Sequence, residues 1–128
     1  MDNVSKIMDM LDWNLSFEIQ ENGRKMAKEI KNIKPFLQPL TSRHNKNVWE
    51  NCALIITDRS DDELKTYLVE LLEWLQDMNW PGAFYILNRL NNYSKDLSFE
   101  IAFQKCVERA KYLNDDIWLT NLLQINQS

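Results

Sequence analysis

The side chains able to do chemistry are few in this chain, and their spacing fits few of the reactions they serve. His44 is the single histidine among 128 residues. It stands in the polar run Thr41, Ser42, Arg43, His44 and Asn45, with no carboxylate or thiol at the spacing that a metal site or a nucleophile and base pair requires. The two thiols, Cys52 and Cys106, are 54 positions apart, and each falls on the apolar side of an expected helix. Buried free cysteines follow, because a Cys–His nucleophile would have to leave that face. Carboxylates are plentiful, and Asp61 with Asp62, Asp115 with Asp116, and Glu70 with Glu73 and Asp77 have the types needed for general acid–base work. The first two pairs stand where helix caps belong. The only glycines are Gly23 and Gly82, so there is no glycine-rich phosphate loop. The expectation is a non-enzymatic chain with no catalytic residue, no metal and no cofactor.

What remains is a surface, and the stretch Leu71 to Ala83 offers one. Trp74 flanks the Leu71, Leu72 and Leu75 stripe and is expected to be partly exposed. With Gln76, Asp77, Asn79 and Trp80 it forms a mixed aromatic and polar corner of the kind enriched in interface anchors. The candidate protein-binding residues are therefore Trp74, Asp77, Glu73, Glu70, Asn79 and Trp80. A structural alternative stands beside this one: Trp80 packs into the next helix layer, while Asp77 and Asn79 hydrogen-bond the free N–H groups of the next helix.

These residues need helices to hold them. Hydrophobic residues make up 45% and charged residues 27% of the chain, an ordinary globular balance for one domain. The longest apolar runs are far shorter than the roughly 20 residues of a membrane span, and Asp2, Asp9 and Asp12 break any signal-like start. A cytoplasmic location is the expectation. A net charge of −4 argues against phosphate-backbone binding and suits a cationic protein partner. Apolar residues recur at spacings of three and four, and no hairpin signal interrupts them. The pattern predicts helices over about 3–11, 16–33, 46–58, 60–75, 81–90, 99–113 and 116–125. Ser60 and Glu63 form a capping box for the fourth, whose stripe of Leu64, Tyr67, Leu68, Leu71, Leu72 and Leu75 marks it as central. Pro81 fits the first turn of the fifth. The span from Pro35 to Asn45 reads as the longest loop, and 126–128 as a frayed end.

A loose repeat runs through these elements. Trp13, Trp49, Trp80 and Trp118 recur at gaps of 36, 31 and 38 residues, and Asp77 with Trp80 is echoed by Asp115 with Trp118 as the same Asp-x-x-Trp. Helix pairs at such a period are the mark of α-solenoids. The chain also resembles a bacterial HEAT-like helical domain family of unknown function. The likeness rests on Pro39 through Asn45, on Ser60, Asp61, Asp62, Glu63 and Leu64, on Asp115 with Trp118, and above all on Leu-Leu-Glu-Trp-Leu-Gln-Asp-Met-Asn-Trp-Pro from Leu71 to Pro81. It implies a right-handed all-α superhelix, with about six or seven helices in antiparallel pairs. Residues 39–125 would be the family-like core of the single domain 1–128, capped by extra helices over 1–38. It implies no activity. Gly82 departs from the family's usual branched residue and suggests a close helix approach.

Protein binding is the function expected of such a stack. In its narrower form this is an immunity-type binder that presents Glu63, Glu70, Glu73 and Asp77 to a cationic bacterial effector. The competing class is a nucleic-acid-binding or processing module, which would gather Lys25, Lys28, Lys31, Lys34, Arg43 and Lys46 in one basic groove.

Overall fold

The computed structural model describes residues 3–38 and 46–125. The expected loop around Arg43 and His44 and the expected frayed end lie outside the described residues. Among the described residues the chain is helical with no strand, so the class is all-α.

Helix α1 (Asn3–Met10) packs on α2 (Phe17–Ala27), whose first turn is closed by Ser16 Oγ accepting from the Ile19 amide at 3.2 Å. Gly23 allows the contact, since a Cβ there would lie 2.9 Å from Met10 Cβ. The period that predicts helix as far as Ile33 overruns the observed end at Ala27. The Ala27 carbonyl, which would continue the ladder, accepts instead from the Ile30 amide in a tight turn and from Arg59 Nη2 at 2.7 Å. Ile33 is buried all the same, in an irregular segment that carries Phe36 and Leu37 into the core.

Helix α3 (Trp49–Thr57) buries Trp49, Asn51, Cys52, Ala53, Ile55 and Ile56, a set that wraps most of its circumference. It is covered by α2 on one side and by α6 (Ala83–Asn91) on another. Between α3 and α6, the capping box predicted at Ser60 is present. Ser60 Oγ accepts from the Glu63 amide, and the Glu63 carboxylate accepts from the Ser60 amide. The helix that follows is not continuous. It runs as α4 (Asp61–Leu64), a 3-10 turn at Lys65–Tyr67, α5 (Leu68–Glu73) and a second 3-10 turn at Trp74–Gln76. The leucine stripe survives both breaks, with Leu64, Leu68, Leu71, Leu72 and Leu75 all buried. Helix α7 (Leu97–Tyr112), capped by Asp96, packs on α5, and α8 (Asp116–Leu122), capped by Asp115, packs on α7 and on the 74–76 turn.

Pro81 does not open α6. The Trp80 amide bonds to the Asp77 carbonyl and the Ala83 amide to the Trp80 carbonyl, so the chain is still turning at Pro81. It enters the helix through Gly82, the N-cap at φ 87°. That left-handed conformation excludes most side chains, and space excludes them too. A Cβ on Gly82 would meet Ala53 Cβ at 2.7 Å, the Trp49 carbonyl at 3.0 Å and the Trp74 ring at 3.2 Å. The close approach suggested by the sequence at Gly82 is therefore present, and it joins α6 to α3.

Three indoles gather at this contact. Trp49 meets Trp74 edge-on at 6.4 Å between ring centroids and Trp80 edge-on at 5.5 Å. Trp74 Nε1 donates to the Pro81 carbonyl at 3.2 Å, and in the next layer Trp118 Nε1 donates to the Leu72 carbonyl at 3.1 Å. Trp49 Nε1 is buried and has no acceptor among the described residues. Gly82→Ala should therefore destabilise the fold by roughly 2–4 kcal/mol in chemical denaturation, combining φ strain with overpacking. Trp74→Phe and Trp118→Phe should each cost about 2–3 kcal/mol, from the lost volume and the lost indole hydrogen bond. Trp49→Phe should cost clearly less, since it also removes a buried donor without a partner; equal losses in all three would refute this assignment.

Candidate functional site

The structure does not present all six expected residues on one open corner. Trp74 is fully buried, which corrects the expectation of partial exposure. The expectation rested on its place beside the leucine stripe, where a helix covered on one face would meet water. Here Trp49 and Gly82 cover that flank as well. Glu73 turns the other way and is held by Arg109 at 2.6 Å, with the Arg109 guanidinium also lying over the Trp118 ring at 5.3 Å. Glu70 is half-buried on α5. Trp80 is half-buried against Trp49, as the structural alternative had it. Asp77 does not reach the next helix; its Oδ1 accepts from the Asn79 amide at 2.8 Å and closes its own turn.

Asp77 and Asn79 do line a groove, but with different neighbours. About 370 Å³ opens between the 76–79 turn and the start of α8, bordered by Gln76, Asp77, Met78, Asn79, Asp115, Ile117 and Asn121. Its walls are fixed by the backbone. Gln76 Nε2 donates to the Glu73 carbonyl at 3.0 Å and Asn121 Nδ2 to the Leu75 carbonyl at 2.8 Å, while Asp115 Oδ1 accepts from the Trp118 amide at 3.0 Å. One amide N–H of Gln76 and one of Asn121 are thereby engaged, and their carbonyl oxygens add acceptors to the two carboxylates. The groove thus offers acceptors and negative charge, and Ile117, 69% exposed, supplies an apolar edge. Asp115 and Ile117 were absent from the sequence-based set. The doubled Asp-x-x-Trp marks Asp77 and Asp115 as equivalent positions, which was the one available signal. Nothing in the helical stripe of Trp118, Leu122 and Ile125 points to Ile117.

Of the four carboxylates expected to form an acidic face, Glu70 and Glu73 stay together on α5, with Glu73 paired to Arg109. Glu63 is spent on the capping box and on Arg59, and its pKa is lowered chiefly by the Ser60 amide bond. Of the cations considered for a basic groove, Lys28 lines a cleft between α2 and α3. Lys25, Lys31, Lys34 and Lys46 are exposed, and Arg43 lies outside the described residues. His44 lies outside them too. Among the described residues no three His, Cys, Asp or Glu side chains cluster to hold a metal, and no helix is long and apolar enough to cross a membrane.

Both thiols are free and buried, as the sequence suggested. Burial pushes Cys52 and Cys106 up to about 12. These raised values favour the folded state fully below the ordinary thiol pKa near 9, and that contribution is lost as pH climbs from about 9 to 12. Neither cysteine should react with a thiol reagent at pH 8 until denaturant is added, and stability to denaturant should fall on going from pH 8.5 to 11. Rapid labelling of Cys106 in the native protein at pH 8 would overturn its placement.

A family model described as "Domain of unknown function (DUF5071)" matches residues 45–127. No curated protein and no solved structure matches the chain. The matched span holds the groove and all three tryptophans of the α3–α6 contact, and begins after α1 and α2.

Proposed function

The chain belongs to the DUF5071 family, domains of unknown function, and from that premise we propose that it is a non-enzymatic protein-binding module of HEAT-like build. The groove between the 76–79 turn and α8 receives a cationic segment of the partner. The supporting observation is the pairing of Asp77 and Asp115 in the lining of one groove, together with the exposed Ile117. A lysine or arginine fits such a pairing, its head meeting carboxylates while its stem lies on apolar surface. The setting adds to the attraction, because from residue 49 onward the chain carries 13 carboxylates against 7 lysines and arginines, a net of −6. The sequence of contacts, α1 on α2, α2 on α3, α3 on α6, α5 on α7 and α7 on α8, supports the HEAT-like reading. In its narrowest form the partner is a basic bacterial effector and the complex an immunity complex.

The test uses the intact chain as bait in lysate of its own source cells, beside an Asn79→Lys, Ile117→Lys double variant. Both positions are exposed, so the fold should be kept. A basic protein retained by the parent chain, weakened by roughly 100-fold or more in the double variant and by raised salt, is the expected result. Retention of nucleic acid in place of a basic protein, or equal capture by parent and variant, would refute the proposal.

A further inference from the structure

We infer that the cleft between α2 and α3 binds a small monocarboxylate carrying an apolar substituent. The cleft measures about 310 Å³ and is lined by Arg24 and Lys28 from α2, Leu54 and Ile55 from α3, and Asp58 and Arg59 just beyond it. At about 30 Å³ for each water-sized group, it takes a ligand of roughly ten non-hydrogen atoms. It lies where the N-terminal helices meet the family-matched span, so neither part builds it alone.

The two guanidiniums are held in place in advance. Arg24 Nη1 donates to Asn51 Oδ1, and Asn51 is 3% exposed. Asn51 Nδ2 in turn donates to the Leu11 carbonyl at 2.7 Å and to Gln20 Oε1 at 2.9 Å. This partly buried network fixes one edge of the guanidinium and leaves its other N–H groups without a protein acceptor among the described residues. Arg59 is anchored likewise, Nη2 on the Ala27 carbonyl at 2.7 Å and Nη1 on Glu63 at 3.3 Å. A guanidinium already fixed loses little entropy when it meets a carboxylate.

Charge sets the class of ligand. Glu63 balances Arg59, and neither Arg24 nor Lys28 has an ion pair among the described residues. Asp58 offsets one of those two, which leaves one positive charge to be met. A monoanion matches it, whereas a phosphate dianion would place a second negative charge beside Asp58. Leu54 and Ile55 give the remainder of the ligand an apolar wall.

N-acetyl-L-leucine, with about a dozen non-hydrogen atoms, is a suitable probe for calorimetric titration and amide NMR at low salt. Saturable binding is expected, with shifts centred on Arg24, Lys28 and Ile55. Lys28→Ala should weaken it by roughly tenfold and Asp58→Asn should strengthen it severalfold. Both side chains are exposed and outside the hydrogen-bond network, so unfolding curves of the variants should overlay that of the parent. Inorganic phosphate should bind at least about tenfold more weakly than the probe. No saturable response to N-acetyl-L-leucine, indifference to Lys28→Ala, or phosphate binding as tight as that of the probe would each overturn the inference.

Discussion

The last turn of a helix leaves its carbonyl groups short of amide partners, and in this molecule side chains from the turn and from α8 add donors where the central leucine helix ends. The Leu72 carbonyl accepts from Trp118 Nε1, the Glu73 carbonyl from Gln76 Nε2, the Leu75 carbonyl from Asn121 Nδ2, and the Pro81 carbonyl beyond the turn from Trp74 Nε1. Two of the four donors come from α8. That helix is therefore fixed in rotation and depth as well as by apolar contact, because a shift would break both side-chain hydrogen bonds, each worth about 0.5–1.5 kcal/mol net. The same bonds set the walls of the groove, so its shape follows from the way the central helix is ended.

The N-terminal helices are joined to the core by a different chemistry. Arg24, Asn51, Gln20 and the Leu11 carbonyl form one partly buried polar network around the buried Asn51, and Arg59 reaches across to the Ala27 carbonyl. Such a network is satisfied in only one arrangement and so specifies how α1 and α2 sit, whereas apolar burial alone would tolerate sliding. It falls where the family-matched span meets the residues before it. Asn51 is the pivot: the neighbouring Cys52, Ala53 and Ile56 provide apolar contact on α3, and one polar residue among them provides the register.

Local chemistry was legible in the sequence and coverage was not. The Ser60 and Glu63 box and the Asp115 cap depend on residues within one turn of each other, and both are present as read; the leucines of the stripe are buried, though the helix that carries them is broken twice. Trp74 depends on what lies across from it. A stripe shows which face of a helix is apolar but not how many neighbours the helix has, and the central helix has neighbours on both flanks. The breaks at Lys65–Tyr67 and Trp74–Gln76 are invisible for a related reason, since a 3-10 turn shifts the stripe by too little to disturb spacings of three and four. Gly82 was the exception. A glycine in place of a branched residue pointed to a close approach before the partner, Ala53, could be named.

The doubled Asp-x-x-Trp shows how far a short echo can be pressed. At Asp115 the carboxylate accepts from the Trp118 amide three residues on, an N-cap that starts a helix and carries the indole into the core. At Asp77 the carboxylate accepts from the Asn79 amide two residues on, while the Trp80 amide bonds to the Asp77 carbonyl. The chain there makes a turn and no helix starts, so Trp80 stops half-buried against Trp49. The difference lies downstream: Asp116, Ile117 and Trp118 can take up helical dihedrals at once, whereas Pro81 disfavours the helical conformation at Trp80 and Gly82 then takes a left-handed one. Two like sequences thus form unlike corners, one that begins α8 and one that delays α6. Asp77 from the turn and Asp115 from the start of α8 nevertheless line one groove, so its acidic character is drawn from both corners.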